Sequence, residues 1–498
     1  AGSATLLVET ALLSQSRGAL FGFVAAGILY LALQPRKAVT LASAAGIGLL
    51  VAVSWAPITD VRNAPRASAI GSELADARRA IGISVALSAA AALVAIAAAR
   101  RPDVRELFAR DSTRRAGRYL VIGVAAAAVI AAAVAIGNPA SWTSDRWHDF
   151  KSSGYTTLPS GQTRFTGSLG SSRYDFYRVA LDEFAHHPVQ GIGADNFAEA
   201  YVRHRRTLES PRYPHSVAFR VLSQLGAVGV VLFVAFLAFA WQAARHARLV
   251  LRPVERALGV AALAGFAMWL MHGMFDWLWE FPALGILAVA LLAIAMRMEA
   301  DAPQDPDAAI ADAFESPYED QAPLHAAVRA WPERAVVGIA GIAAVASFAL
   351  PGIAARYTSG AYHDFRTDPG RTLARLERAA ELNFLSPEPL VAKGVVAEQL
   401  GLPGVARDAL RRAVDRDPSN WYAQFELAMV DATNGRPSEA QATLRKAMKL
   451  NPRQPLISEV AARVMHSQPI DPVAVQGQLY AQLRDRLGPT QGTHPDRP

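Results

Sequence analysis

Long apolar runs separated by short polar segments dominate the first two thirds of the chain. A bilayer core about 30 Å thick requires roughly 20 apolar residues in a helix. Many of the runs are rich in Ala and Gly, and any one of them alone would fit a buried helix of a soluble protein. Because about eight occur together, the pattern predicts a bundle of transmembrane helices in which small residues permit close packing. The runs are Gly18–Leu33, Val39–Pro57, Ile81–Ala99, Tyr119–Ile136, Val217–Trp241, Leu258–Phe275, Phe281–Met296 and Ala335–Leu350.

Composition supports this prediction and excludes several kinds of site. Of the 498 residues, 52% are hydrophobic, which is more than an ordinary soluble chain of this size carries. The chain has no cysteine, so a disulfide framework, a thiolate metal site and a cysteine nucleophile are excluded. The first apolar run, Thr5–Leu13, is too short to span a bilayer. We interpret it as the tail of an earlier helix and expect further spans before it.

The net charge of +7 is concentrated in three basic segments between the spans. These are Pro35–Lys37, Arg100–Arg118 and Arg245–Arg256, and all three fall on one side when the spans alternate. Lys and Arg retained in short loops set the orientation of a membrane protein, so we place these segments in the cytoplasm. Nucleic-acid binding is the alternative explanation of an arginine cluster, but clusters between spans are typical of the orientation rule.

The same alternation assigns the remaining segments to the exoplasmic side. They are the start of the first span at Arg17, the loop Thr59–Ala80, the long loop Gly137–Ser216 and the turn at Asp276. Arginines in the loop Thr59–Ala80 are a local exception to the charge rule. The alternation also makes the acidic stretch 299–334 a cytoplasmic linker. Its acidic residues weigh little against this assignment, because Asp and Glu contribute weakly to orientation.

An internal repeat follows the last span. Ala379, Ala413 and Ala447 recur 34 residues apart, which is the tetratricopeptide period. An upstream partial unit departs from the pattern at Phe384, where the later units have proline. Stacked helix pairs of this kind bury each other's apolar faces, so we expect a partner- or substrate-binding scaffold, with a structural spacer as the alternative. Small residues and prolines that fit the pattern are Gly394, Gly401, Ala406, Pro418, Ala428, Gly435, Ala440 and Pro452.

These patterns together predict an all-α protein. Residues 1–298 form a transmembrane domain with the exoplasmic loop 137–216, and the acidic linker 299–334 follows. Residues 335–351 form a further transmembrane helix, which tethers an exoplasmic tetratricopeptide-like domain over 352–498. The repeats offer helix-packing positions and no set of catalytic groups, so we expect them to contribute binding.

The chemistry is expected in the loop 137–216, because so long a connection between two spans is usually functional. Its first aromatic residues, Trp142, Trp147 and Tyr155, fit either a membrane interface or stacking against sugar rings. The motifs that follow are SSRYDFYRVA at 171–180, HPVQGIGADNF at 187–197, YPHS at 213–216 and LSQLG at 222–226, which leads into a span.

The order of these motifs resembles the O-antigen ligase and polymerase superfamily of membrane glycosyltransferases. An arginine-led helix precedes a His-Pro turn with two glycines, and a Pro-His pair precedes Gln-Leu-Gly at the head of a span. Ser16-Arg17-Gly18 and the segment from His272 to Asp276 are similar to further elements of that family. The resemblance extends over Leu6–Met298, and a C-terminal tetratricopeptide domain also occurs in some members.

The resemblance implies an activity and a location. Members move a glycan from a polyprenyl diphosphate carrier to a lipid, glycan or protein acceptor at the outer face of the bacterial inner membrane. They use neither a nucleotide sugar nor an essential metal or other cofactor. O-antigen ligation, polysaccharide polymerisation and protein O-glycosylation remain open, as does a protein partner held by the repeats, whereas nucleic acid is not expected. A non-catalytic membrane anchor that displays a repeat scaffold is the alternative from another class, and a transporter is disfavoured because few charges lie within the spans.

Span counting places the resembling residues on the exoplasmic side, where they can share one site. Arg17 and Arg173 are suited to neutralise a departing diphosphate, because the guanidinium is planar and permanently charged. His215 is suited to general-base work or to orienting the nucleophile. Further substrate-binding candidates are Arg178, His187, His272 and Asp276.

Each of these assignments has a structural alternative. Arg17 can extend to lipid headgroups from a span end, and Arg173 can pair with Asp175 or Asp182. A histidine in a loop is more often structural than catalytic. Gly191 and Gly193 are expected to form a turn. The pair His186-His187 lacks the spacing of a metal site, so no metal ligand is assigned.

Overall fold

The computed structural model is helical throughout the residues that it describes, which confirms the all-α prediction. Those residues are 2–33, 37–63, 70–102, 137–152, 172–250, 253–300 and 331–487, with isolated positions between 119 and 136. The predicted span Tyr119–Ile136, most of the basic segment Arg100–Arg118, the linker 299–334 and Tyr155 lie largely or wholly outside the described residues.

Three described helices are long and apolar enough to cross a membrane, namely Thr40–Val61, Gly71–Ala98 and Val217–Gln242. Shorter apolar helices cover Gly2–Leu13, Arg17–Leu33, Ala257–Gly273 and Pro282–Met296. The chain is therefore a membrane protein. It divides into two compact units, of which the first contains residues 1–195 and 213–310 and the second contains residues 196–212 and 311–498.

The first unit holds the apolar helices named above and most of the long loop. The run Thr5–Leu13 is helical and packs against two of the longer helices. The helices are α1 (Gly2–Leu13), α2 (Arg17–Leu33), α3 (Lys37–Asn63), α4 (Ile70–Ala99), α5 (Pro139–Lys151), α6 (Arg173–His186), α8 (Val217–Val250), α9 (Pro253–Gly273) and α10 (Pro282–Ala300), with a 3₁₀ turn (Trp277–Glu280) after α9.

Buried polar groups connect α1 to α3 and α4. The Thr5 hydroxyl donates to Ser88 Oγ at 2.9 Å, and Gln15 Nε2 donates to the Thr59 carbonyl at 2.7 Å. The Ser54 hydroxyl donates to the Glu9 carboxylate. Buried polar groups cost free energy unless they are hydrogen-bonded, so these pairs fix how the three helices pack.

Two glycines allow α2 to approach α9 closely. A Cβ atom on Gly22 would lie 2.8 Å from the Met268 carbonyl oxygen, and one on Gly18 would lie 2.6 Å from His272 Cδ2. Small residues four positions apart let helices pack backbone to backbone where lipid surrounds them. The first turn of α2 is therefore held directly against the end of α9, where His272 lies.

The second unit is built from consecutive packed helices, as the 34-residue period predicts. Ala379, Ala413 and Ala447 are all fully buried, and a Cβ atom on Gly394 would lie 2.8 Å from Leu410 Cδ2. The assignment to the tetratricopeptide family stays a prediction. The helices are α7 (Phe197–His204), α11 (Trp331–Asp364), α12 (Pro369–Leu382), α13 (Glu388–Gln399), α14 (Pro403–Arg416), α15 (Trp421–Thr433), α16 (Pro437–Leu450), α17 (Pro455–Met465) and α18 (Pro472–Leu487).

Two acidic side chains lie inside this helical stack. Gln476 Nε2, on α18, donates to Glu398 at 3.1 Å and to Glu426 at 2.9 Å. Burial raises the pKa of Glu426 to about 7. Burial and the neighbouring Glu426 carboxylate raise the pKa of Glu398 to about 8. Between about pH 4.5 and pH 7, the two carboxyls therefore keep protons in the folded stack that they would lose in the unfolded chain.

The repeat stack is expected to lose stability as the pH rises from about 4.5 to about 8. An unfolded glutamate titrates near 4.5, and a group whose pKa is raised by folding stabilises the folded state only while it stays protonated there. Glu426→Gln should therefore slow amide hydrogen exchange in α15 of the full-length protein at pH 8, with little change at pH 5. The exposed Glu439 on α16 supplies the control, Glu439→Gln. An equal effect of Glu426→Gln at both pH values would contradict the prediction.

Candidate active site

Four of the predicted residues come together at helix ends in the first unit. Arg173 begins α6, His215 lies two residues before α8, and His272 and Asp276 lie at and just beyond the end of α9. The side chains are partly open, with exposed fractions of 29% for Arg173, 30% for His215, 18% for Asp276 and 13% for His272. A group of ionisable side chains at the ends of apolar helices can bind the charged headgroup of a lipid.

Asp276 lies at the centre of this group. Arg173 Nη2 lies 3.2 Å from Asp276 Oδ1. His215 Nδ1 lies 3.9 Å from Asp276 Oδ1, and His272 Nε2 lies 3.9 Å from Asp276 Oδ2. Asp276 also accepts from the Trp277 backbone N–H at 2.9 Å, which caps the 3₁₀ turn. The carboxylate is thus held by its own turn while it faces one arginine and two histidines.

The environment of His215 favours the neutral imidazole. Burial and the Arg173 guanidinium lower the pKa of His215, and the Asp276 carboxylate opposes them. The ring lies between aromatic neighbours, with centroids 5.4 Å from Phe176 and 6.5 Å from Trp277. The His215 backbone has φ 56°, a region that residues other than glycine enter at a cost and that surrounding structure must maintain.

Ser16 extends the group toward α2. Its Oγ lies 3.1 Å from His272 Nε2 and also accepts from the Ala19 backbone N–H at 3.2 Å. Arg17 begins α2 directly after Ser16 and is half-buried. The Ser-Arg-Gly element therefore joins the group through Ser16, and Arg17 follows it in the chain.

Two predicted substrate-binding residues have structural partners. Arg178 donates to Asp175 through Nε at 3.0 Å and Nη2 at 2.8 Å, so Arg178, and not Arg173, pairs with that aspartate. His187 is exposed and caps the C-terminus of α6. Its carbonyl accepts from the Gly191 N–H at 3.0 Å. His186 Nδ1 lies 2.8 Å from the Asp182 carbonyl. Arg178 and His187 therefore stay candidates on the resemblance alone.

The His-Pro turn is inserted into a break in α8. The helix is interrupted at Gly226, with φ 61° and ψ −157°. A break of this kind leaves the carbonyls of Ser223 and Gln224 and the N–H groups of Ala227 and Val228 without helical partners. Loop residues replace all four partners. The bonds are Ile192 N to Ser223 O at 2.9 Å, Gly193 N to Gln224 O at 3.0 Å, Ala227 N to Pro188 O at 2.8 Å and Val228 N to Val189 O at 3.2 Å.

Glycines in the His-Pro turn and in α8 allow the two backbones to approach closely. A Cβ atom on Gly226 would lie 2.5 Å from the Val189 carbonyl oxygen and 2.6 Å from Gly191 N. A Cβ atom on Gly191, whose φ is 68°, would lie 2.5 Å from the Gln224 carbonyl oxygen. The predicted turn role of Gly191 thus includes main-chain contact with α8.

Arg220 is a charged centre that the sequence analysis did not single out. Its guanidinium forms an ion pair with Glu280 and lies 3.3 Å from Asp195 Oδ1. It also lies over the Tyr213 ring, with 4.2 Å from its Cζ atom to the ring centroid. Gln224 Oε1 accepts from the Asp195 backbone N–H at 3.2 Å. An arginine on the first turn of a span, close after His215, was the available signal.

Aromatic side chains cover the side of the site formed by α5 and α6. Trp147 meets Tyr174 edge to face with centroids 5.9 Å apart, and Tyr177 stacks on Phe219 at 4.3 Å. Burial raises the pKa of Tyr177 to about 12, so its phenol stays neutral. Trp142 is exposed at 42%. Among the described residues, no group of three or more His, Asp or Glu side chains is arranged to hold a metal ion.

The comparison with protein families matches this part of the chain. A family model described as O-antigen ligase matches residues 77–234. The matched segment contains Arg173, His187, His215 and the break in α8 at Gly226, and it ends before His272. A search of curated proteins found no match.

Proposed function

We propose that this chain transfers a glycan from a polyprenyl diphosphate carrier to an acceptor at the outer face of the bacterial inner membrane. The match of residues 77–234 to a family model described as O-antigen ligase supports the proposal. The observation that carries the proposal is the group formed by Arg173, Asp276 and His215, in which a fixed cation, a carboxylate and a neutral imidazole meet at helix ends. The reaction needs these three properties together.

Arg173 is assigned to bind the donor diphosphate. A guanidinium has five N–H donors, so the contact to Asp276 occupies only part of its capacity while fixing its direction. Arginine is suited to phosphate oxygens because its donors are arranged as a planar fork. As the sugar leaves its carrier, negative charge grows on the diphosphate, and a preorganised cation stabilises that charge. Arg17, next to Ser16, is proposed to act on the same diphosphate.

His215 supplies the proton acceptor. The acceptor oxygen forms a bond to the anomeric carbon, the bond from that carbon to the phosphate oxygen breaks, and the diphosphate leaves with the bonding electron pair. The hydroxyl proton passes to the imidazole. Because Asp276 lies on the Nδ1 side of His215, Nε2 is assigned to accept the proton. The carboxylate then stabilises the imidazolium that forms, and His272 and Ser16 support the position of Asp276.

Location and acceptor class belong to the same proposal. The group lies at the ends of apolar helices, which supports a position at a membrane surface. The three basic segments favour the exoplasmic surface. Lipid, glycan and protein acceptors remain alternatives, which correspond to ligation, polymerisation and protein glycosylation.

The test is to incubate the purified full-length protein with a polyprenyl diphosphate-linked oligosaccharide and each acceptor class. Consumption of the donor with transfer to one acceptor supports the proposal, whereas an inert donor with every acceptor favours the non-catalytic scaffold.

Substitution of Arg173 should affect donor binding more than the choice of acceptor. Arg173→Ala is expected to weaken donor binding by about tenfold or more, because a hydrogen-bonded charge contributes about 1.5–3 kcal/mol. Arg173→Lys should recover only part of the affinity, because lysine keeps the charge and loses the fork. Donor affinity measured on detergent-purified protein checks this. Arg146→Ala, which removes an arginine paired with Asp149 on α5, should bind donor normally, and full affinity of Arg173→Lys would contradict a role for the fork.

A further inference from the structure

Residues 196–212 of the long loop, which we call the clip, fold as part of the second unit. The clip contains α7 and the turn that follows it, and it groups with residues 311–498. Helix α7 packs against α16 of the repeat stack. The alternation of spans assigned this segment wholly to the loop 137–216 of the transmembrane domain.

The clip is buried like a core segment. Phe197 and Tyr201 are fully buried, and Val202 is exposed by only 6%. The rings of Phe197 and Tyr201 stack with centroids 5.8 Å apart, and the Tyr201 hydroxyl lies 2.8 Å from Thr207 Oγ1. Burying aromatic side chains stabilises the packing of the segment that carries them. The clip is therefore held in the second unit by packing as well as by polar contacts.

Arg205 fastens the clip to the repeat stack. The side chain is 3% exposed, and its Nη2 donates to Asn451 Oδ1 at 2.9 Å. Its Nη1 donates to the carbonyls of Leu208 and Glu209 at 3.0 and 2.7 Å and to Ser210 Oγ at 2.7 Å. Removing a buried charged donor leaves its acceptors without partners, which costs more than the contact itself stabilises.

The clip also faces an equivalent position one repeat earlier. Asp417 ends α14 as Asn451 ends α16, and the two positions lie one 34-residue period apart. Burial raises the pKa of Glu199, and among nearby charges Asp417 raises it further while Arg212 lowers it. The clip is thus bonded to Asn451 at the end of α16, and it lies within electrostatic range of Asp417 at the end of α14.

Both ends of the clip continue into residues of the candidate active site. Before it, Asp195 contacts Arg220 and Gln224. After it, Tyr213 lies under Arg220, and His215 follows two residues later. His215 has a left-handed backbone conformation, which persists only when the flanking structure maintains it. The clip ends three residues before His215 in the chain, and α8 begins two residues after it.

We propose that the repeat domain is a positioning domain of the enzyme, which holds the clip through Arg205 and Asn451 and thereby keeps His215 in its active conformation. Arg205 is a positioning residue, since it touches neither donor nor acceptor. This inference rests on the proposed function, and it goes beyond the expectation that the repeats contribute binding alone. A loosened clip lowers the rate of transfer because the geometry of the proton acceptor is lost, while the diphosphate contacts of Arg173 remain.

The test uses Arg205→Met in the full-length protein, with Arg203→Met as the control at an exposed arginine in the last turn of α7. Arg205→Met should lower kcat for glycan transfer by about tenfold or more, because small misplacements of a reacting group are costly, with donor affinity unchanged. Arg205→Lys should restore part of the rate, and Arg203→Met should match the parent. Asn451→Ala removes the same contact from the repeat side and should show the same defect if Arg205→Met does not fold.

A second readout reports the clip independently of activity. The chain has no cysteine, so Ala200→Cys, at a position 8% exposed, introduces a single thiol. Maleimide should label this thiol slowly in the parent and quickly in Arg205→Met. A protected thiol in Arg205→Met would overturn the fastening role, and a labelled thiol with unchanged kcat would overturn positioning. If the parent itself transfers no glycan, the proposed function fails, and the labelling result still decides whether Arg205 and Asn451 hold the clip.

Discussion

His215→Ala is expected to reduce glycan transfer by about 100-fold or more, the usual effect of removing a general base, while donor binding stays within the range of the parent. The reason is that His215 faces Arg173 and Asp276 and is kept neutral by burial and by the Arg173 charge. Transfer and donor binding are to be measured separately. His148→Ala, at an exposed histidine of α5, is the control and should behave as the parent.

The pH profile gives an additional check on His215. Because the pKa of His215 is lowered, the acidic limb of kcat/KM should lie below pH 6.5, the ordinary value for histidine. Asp276→Asn removes the group that raises this pKa and should move the limb further toward acid. Normal transfer by a well-folded His215→Ala protein would remove this residue from the mechanism, and an acidic limb above pH 6.5 would assign it to another group.

Gly226→Ala is expected to abolish transfer and to lower thermal stability, by about 3 kcal/mol or more in the free energy of unfolding. The backbone at Gly226 lies in a region that only glycine occupies readily, and the added Cβ atom would lie 2.5 Å from the Val189 carbonyl oxygen. Either α8 straightens and expels the His-Pro turn, or the turn shifts. Both outcomes disturb the segment that leads to the clip and His215.

Gly285→Ala is the matched control for this substitution. Its Cβ atom would meet Trp269 Cζ2 at 3.7 Å, an ordinary contact, within the regular helix α10. The melting temperature in detergent and the rate of glycan transfer should be measured for both variants. A Gly226→Ala protein with parental stability would show that the break in α8 does not depend on glycine.

Sequence patterns predicted the elements of the site better than their contacts. Long apolar runs mark their own helices, and span counting predicted that Arg173, His215 and Asp276 share one side. The partner of Arg173 was not predictable, because Asp175 is nearer in the chain but pairs with Arg178. The pairing of Arg220 with Glu280 joins residues 60 positions apart, and local periodicity carries no information at that range.

The clip shows the same limit more clearly. Phe197, Tyr201 and Val202 follow one another at helical spacing, but a helix of eight residues in a polar loop does not indicate what it packs against. The repeat period was readable because Ala413 and Ala447 recur at fixed spacing, whereas the contact from Arg205 to Asn451 occurs once. Only a three-dimensional arrangement reveals such a single long-range contact.

The distance between Arg205 and Asn451 along the chain also has a consequence for biosynthesis. The two residues are 246 positions apart, so at a synthesis rate of roughly 5–20 residues per second Arg205 leaves the ribosome about 12–50 s before its partner exists. During that interval the aromatic side chains of the clip have no repeat stack to cover them. The clip can therefore reach its buried state only after the helix that precedes Asn451 has been synthesised.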